Sequence, residues 1–175
     1  MDPSIETAIA QALEAAQVPG ASMAVVHNGN SVLCRGFGTR SFNDGSDGIT
    51  PSALFCIGSL TKSFTAACVG VLVHQGKLSW TEPIRTYLPE FETQSEIATR
   101  SATVVDLLAH RLGLVSPDWL WHPSIGSDSR QTTASHDIVG TVAHLPTVPG
   151  GFRNSFEYSN QCLALVVVVI ERVSG

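Results

Sequence analysis

Apolar residues recur along this chain with two periods, and the switches between them mark out its elements. Ile5, Ile9 and Leu13 stand four apart behind Asp2-Pro3. That is the spacing of one helix face, opened by a proline suited to the first turn and closed near Pro19-Gly20. Ala21 to His27 and Ser31 to Gly38 then read as two strands joined through Asn28-Gly29, the pair that most favours a tight hairpin turn. Two strands alone make only a marginal sheet. Ser41 to Thr50 gathers Gly, Asp, Ser and Asn, and reads as a loop.

Helical spacing returns from Leu60 to His74 through Phe64, Ala67, Val71 and Leu72, with Gly76 as the stop; this helix reads as central. Trp80 to Phe91 carries Pro83, Pro89 and irregular apolar positions, which predicts an ordered excursion over the surface. Thr103 to His110 is helical again through Val104, Leu107 and Leu108. In Val115 to Thr133 the aromatic residues Trp119 and Trp121 either line a substrate pocket or pack the loop on itself. A short helix around Ser135 to His144 and a longer one from Asn160 to Val173 complete the pattern.

Composition narrows what such a chain can do. Its 175 residues are 43% hydrophobic, enough for one domain with a real core. The net charge of −5, with basic residues scattered singly, argues against nucleic acid as a partner. Leu163 to Ile170, the longest apolar stretch, falls far short of the ~20 residues that span a bilayer, and reads as a buried helix. Acids near the N-terminus, where a secretory signal needs a basic stretch and an apolar run, predict a cytoplasmic protein. Cys34, Cys56, Cys68 and Cys162 are widely spaced and are expected to be buried free thiols in a reducing compartment. No two of the six histidines have the His-x-x-x-His spacing that puts two ligands on one helix face, so no metal is expected.

The candidate chemistry starts at Ser59, three residues before Lys62 where a strand-like run gives way to a helical one. One helical turn apart, an amine can touch the hydroxyl that must lose a proton, which suits acyl transfer through a serine ester. A second candidate is Phe156-Glu157-Tyr158-Ser159-Asn160 at the mouth of the last helix. There a phenol can relay a proton and a carboxamide can hold a polar group, or Tyr158 packs and Asn160 caps the helix.

Three segments, taken in order, resemble the serine beta-lactamase and penicillin-binding protein superfamily. They are Phe55-Cys56-Ile57-Gly58-Ser59-Leu60-Thr61-Lys62, then Leu107-Leu108-Ala109-His110-Arg111-Leu112-Gly113-Leu114, then Pro149-Gly150 ahead of Tyr158-Ser159-Asn160. The tyrosine motif is similar to that of the class C-like branch, which also holds esterases and transesterases. The resemblance implies Ser59 as nucleophile, Lys62 and Tyr158 as its proton-handling partners with Tyr158 the general base, and Asn160 as a substrate-binding residue. It implies no cofactor, and a small-molecule ester or acyl-thioester as substrate, handled by an intracellular esterase or acyltransferase of secondary metabolism. Where family members carry a small polar pair after the histidine, Arg111 and Leu112 stand here, a change that bears on packing more than on chemistry.

The same resemblance implies an α/β fold of the α+β type, an antiparallel sheet with flanking helices, present only in part over residues 1–175. In the family a later strand with Lys-Thr-Gly or His-x-Gly supplies the second oxyanion donor. His27-Asn28-Gly29 and His74-Gln75-Gly76 have those letters but precede the tyrosine motif, at a hairpin turn and a helix end. With the C-terminal strands missing, a sheet edge and several apolar helix sides are expected to face solvent, a partner chain or a second copy. The alternative function is then a truncated, inactive relative that serves as an interaction module or is a gene fragment.

Overall fold

Asn28 and Gly29 reverse the chain with φ values of 51° and 78°, the paired left-handed conformation of the tight hairpin turn. They join β1 (Gly20–His27) to β2 (Asn30–Gly38), which pair antiparallel from Gly20↔Gly38 to His27↔Asn30. The register slips once, between Val25↔Leu33 and Val26↔Ser31, so Val32 is an extra residue bulged out of the ladder. Gly36 lies against the Ile49 backbone so closely that no side chain would fit there.

The computed structural model describes residues 3–40, 48–115 and 138–175, and the chain divides into two units, Met1–Ile57 and Gly58–Gly175. The first unit holds the hairpin and α1 (Pro3–Ala15), which packs on β2 and is tied to it by an Arg35–Glu6 ion pair. No residue of α1 is fully buried, and Ile5 from its expected apolar stripe is half exposed.

The second unit contains five helices among the described residues: α2 (Thr61–His74), α3 (Glu96–Ser101), α4 (Val104–Leu108), α5 (Ile138–His144) and α6 (Asn160–Ser174). The helix at its centre is α6, on which α2, α4 and α5 all pack. Leu165, Val166 and Val169 of α6 are wholly buried against Val69 of α2, Leu107 of α4 and Val142 of α5. Each such aliphatic side chain stabilises the fold by roughly 1.5–3 kcal/mol. The central place expected for α2 therefore belongs to α6. Helix α2 buries Val69 and Leu72, while Phe64 and Val71 on its other sides stay exposed.

Helix ends follow their local sequence. The Gly76 N–H bonds to the Val73 carbonyl and the Lys77 N–H to the Leu72 carbonyl, with Gly76 at φ 70°, a paired closure that glycine makes without strain. Thr103 and Asp106 cap α4 reciprocally, and Ser95 caps α3, a one-and-a-half-turn helix that apolar periodicity did not reveal. The excursion from Trp80 to Phe91 is ordered but does not lie over the surface. A short 3-10 turn at Ile84–Thr86 directs Ile84, Leu88 and Phe91 fully into the core.

Three cysteines depart from expectation. Cys34, Cys56 and Cys68 are exposed, and Cys162 alone is buried, where desolvation pushes its thiol up to about 11; all four are free. The exposed ones sit on β2, on the approach to Ser59 and on α2. Of the loop from Val115 to Thr133 only Val115 is described, so Trp119 and Trp121 lie outside the described residues.

Candidate active site

Ser59 lies in a one-turn 3-10 helix, Gly58–Leu60, that runs directly into α2, where Lys62 is the second residue. Their spacing carries across this junction: Lys62 Nζ donates to Ser59 Oγ at 3.0 Å. Gly58 makes the entry turn at φ 53°.

Tyr158 and Asn160 arrive from the other end of the unit. The Tyr158 hydroxyl lies 2.7 Å from Ser59 Oγ, a hydrogen bond either oxygen can donate. Lys62 Nζ donates a second bond, of 2.8 Å, to Asn160 Oδ1 and stands 5.0 Å from the centre of the Tyr158 ring. All four candidates of the sequence reading thus meet in one hydrogen-bonded cluster. Ser59 is exposed and Tyr158 is 41% exposed, so the cluster opens to solvent.

The carboxamide oxygen of Asn160 holds the lysine. Asn160 does not cap the helix. The cap of α6 is Ser159, whose hydroxyl accepts from the Cys162 N–H at 3.2 Å. That leaves Asn160, first in the helix, to face Lys62.

The strap that delivers Tyr158 is tied to the turn after α4 by a row of backbone bonds. The Val148 N–H reaches the Gly113 carbonyl, Arg153 N–H the Arg111 carbonyl, and Glu157 N–H the His110 carbonyl. Two motifs far apart in sequence, around His110-Arg111-Leu112-Gly113 and Pro149-Gly150-Gly151, are one structural piece. The residues that depart from the family pattern fit into it: Leu112 is buried, and the Arg111 guanidinium bonds the Arg153 carbonyl.

An ion pair locks the same piece. Arg153, at φ 62°, places its guanidinium on both oxygens of Asp106, with 2.9 and 2.8 Å bonds, while Asp106 also caps α4. Burial alone would raise the Asp106 carboxyl, but Arg153 and the Thr103 N–H and hydroxyl outweigh it and hold it below its ordinary range.

His110 entered the sequence reading as a possible metal ligand and as part of a segment resembling the family, with no role at the site, yet it touches the cluster. Its imidazole lies 4.7 Å from the Tyr158 ring at a 31° tilt, and its Nδ1 accepts from the Ser159 N–H at 3.1 Å. Burial and then the Lys62 charge hold it below the usual histidine range. Among the described residues no group of three or more His, Cys, Asp or Glu side chains is placed to hold a metal, and no helix is long and apolar enough to cross a membrane.

Comparison with known proteins identifies the family to which this fold belongs. A family model described as Beta-lactamase matches residues 5–175. Among curated proteins, the unguisins hydrolase ungD' of Aspergillus campestris is 30% identical over the whole chain, and protein flp of Staphylococcus aureus is 28% identical over 97% of it. The matches take up 32% and 33% of those proteins, so the chain spans about a third of their length. Among solved structures, the octameric penicillin-binding protein homologue of Pyrococcus abyssi superposes with TM-score 0.75 at 27% identity, over all of this chain and 40% of that one. The D-amino acid amidase of Ochrobactrum anthropi gives 0.76 at 27%, over 97% and 44%. The mixed helix and antiparallel sheet is part of that larger fold.

Proposed function

The chain belongs to the beta-lactamase family, and on that premise we propose that it carries the acylation centre of a serine hydrolase or acyltransferase. The observation that carries the proposal is the doubly bonded Ser59 Oγ, 2.7 Å from the Tyr158 hydroxyl and 3.0 Å from Lys62 Nζ. A hydroxyl held between a phenol and an amine can lose its proton as it attacks.

Ser59 Oγ attacks the carbonyl carbon of an ester or acyl-thioester, and its proton passes to Tyr158 in the phenolate form, whose charge the adjacent Lys62 ammonium stabilises. The Ser59 N–H binds the developing oxyanion. As the tetrahedral intermediate collapses, the carbon–leaving-group bond breaks and Tyr158 returns the proton to the departing oxygen or sulfur, leaving a Ser59 ester. Water or an alcohol then attacks that ester, Tyr158 taking its proton and handing it back to Ser59. Asn160 keeps Lys62 in register, and its amide nitrogen is read as the contact to the acyl side of the substrate. Relatives named as a hydrolase and an amidase favour water as acceptor. We read the setting as an intracellular esterase or acyltransferase of secondary metabolism.

The family match runs across both units, which supports treating residues 1–175 as one incomplete domain. A second reading, an inactive interaction module, is favoured by Phe64 and Val71, large apolar side chains left exposed on α2.

Fluorophosphonate labelling followed by intact mass separates the two. One adduct per chain, absent in Ser59→Ala and slowed about 100-fold or more in Tyr158→Phe, supports the acylation centre. A folded chain that shows no adduct overturns it in favour of the module.

A further inference from the structure

We propose that His110 is a positioning residue of this site, whose neutral imidazole holds Tyr158 on Ser59. This deepens the acylation reading and rests on it. The first observation is conformational. Helix α4 ends in the same paired closure as α2, with the His110 N–H on the Leu107 carbonyl and the Arg111 N–H on the Asp106 carbonyl. In α2 the left-handed position of that closure is Gly76. In α4 it is His110, at φ 55°.

Glycine or asparagine takes this conformation more easily than a ring-bearing side chain, which is strained there by on the order of 1 kcal/mol. The strain is compensated by what the imidazole touches. Its ring lies against Tyr158 at 4.7 Å and meets the edge of Phe156 at 5.5 Å and 73°. Its Nδ1 accepts the Ser159 N–H, and its backbone carbonyl accepts the Glu157 N–H. Contacts on 156, 157, 158 and 159 thus all come from this one residue, and they fix the segment that aims the phenol.

The Ser159 bond also fixes the tautomer. Nδ1 must present its lone pair, so the proton of the neutral ring sits on Nε2. An imidazolium would have to give up that bond and would face Lys62 from α2. The other charged or titratable groups around it are Tyr158 and Glu157 on the strap, and Asp106 and Arg111 on its own turn, both engaged by Arg153. Burial and the Lys62 charge both favour the neutral form. Protonation of His110 should therefore loosen Tyr158 and slow acylation at Ser59.

The test uses the whole chain and His110→Asn, which keeps an acceptor near the Nδ1 position and tolerates the left-handed backbone but has no ring and does not titrate. The rate of Ser59 labelling by a fluorophosphonate is followed from about pH 5 to pH 9. The wild type should lose rate through a midpoint below the ordinary histidine value of about 6.5. His110→Asn should be slower on the order of 10-fold to 100-fold and should lack that acid limb while unfolding at a similar denaturant concentration. An unchanged rate and acid limb in His110→Asn overturns the proposal.

A readout independent of acylation is the NMR titration of the wild-type chain. The Ser159 amide and Tyr158 ring signals should move with the His110 imidazole; signals that stay still while His110 titrates also overturn it. If no serine is labelled yet these signals move together, the acylation reading fails and the positioning of Tyr158 by His110 stands.

Discussion

Gly113 and Gly151 meet backbone to backbone: a Cβ on Gly113 would lie 2.9 Å from the Gly151 carbonyl carbon and equally close to the Phe152 nitrogen. Gly113 also sits at φ 76°. Nothing flexible lines that contact, so neither partner can give way. This is where the turn after α4 and the strap leading to Tyr158 close on each other.

Gly113→Ala should therefore destabilise the chain by about 2–4 kcal/mol, combining left-handed strain with overpacking against backbone. A urea melt measures the loss. Because the strap aims Tyr158, labelling of Ser59 should slow even under conditions where the variant remains folded.

Asn160 and Ser159 are neighbours with separable roles, and their alanine variants should divide cleanly. Ser159→Ala removes the cap of α6 and should cost about 1–2 kcal/mol. Asn160→Ala leaves the cap but removes the acceptor of Lys62, and should slow labelling by at least about 10-fold with a stability change below about 1 kcal/mol. Paired melts and labelling rates for the two variants check this, and a reversed pattern would contradict the division.

Asp106 ties stability to acid. Its carboxyl is held below its ordinary value in the folded chain, so its contribution is fully present above the unfolded value near ~3.9. As pH falls below that value the unfolded chain takes up the proton first, and the contribution is lost on the way down to the folded value. Asp106→Asn should cost about 2–3 kcal/mol at neutral pH, toward the low end for a broken pair because the Arg153 side chain is 45% exposed. The gap between wild type and variant in urea melts should stay constant down to about pH 4 and shrink below it.

Much of the site was legible because its residues lie where local rules are strong. The Ser59–Lys62 spacing is one helical turn, and the Asn28-Gly29 hairpin and Gly76 stop depend only on neighbouring residues. Tyr158 and Asn160 were found by motif, but their contacts with Ser59 and Lys62 span almost a hundred residues and no periodicity encodes them. His110 was missed because a histidine in a left-handed helix closure looks like any other histidine in sequence. The signal that could have found it was its place directly after α4, where a glycine or asparagine would be usual. The apolar run Leu163 to Ile170 marked α6 as buried, but not which helices pack on it, and it did not show that Val167 would be 42% exposed. Cysteine burial failed as a rule because it assumes that every face of an element finds cover.

The Ser159 cap has one more consequence. An α-helix turns about 100° per residue, so where the first turn of α6 is anchored sets the compass bearing of every side chain that follows. Were the helix to begin one residue later, with Asn160 as its cap, the carboxamide would swing toward its own backbone and off Lys62. The bearing of Asn160 toward Lys62 thus depends on the serine beside it, whose own side chain bonds the backbone at Cys162 rather than the lysine, and a shift of one position in that anchor would detune the site while leaving every side chain in it intact.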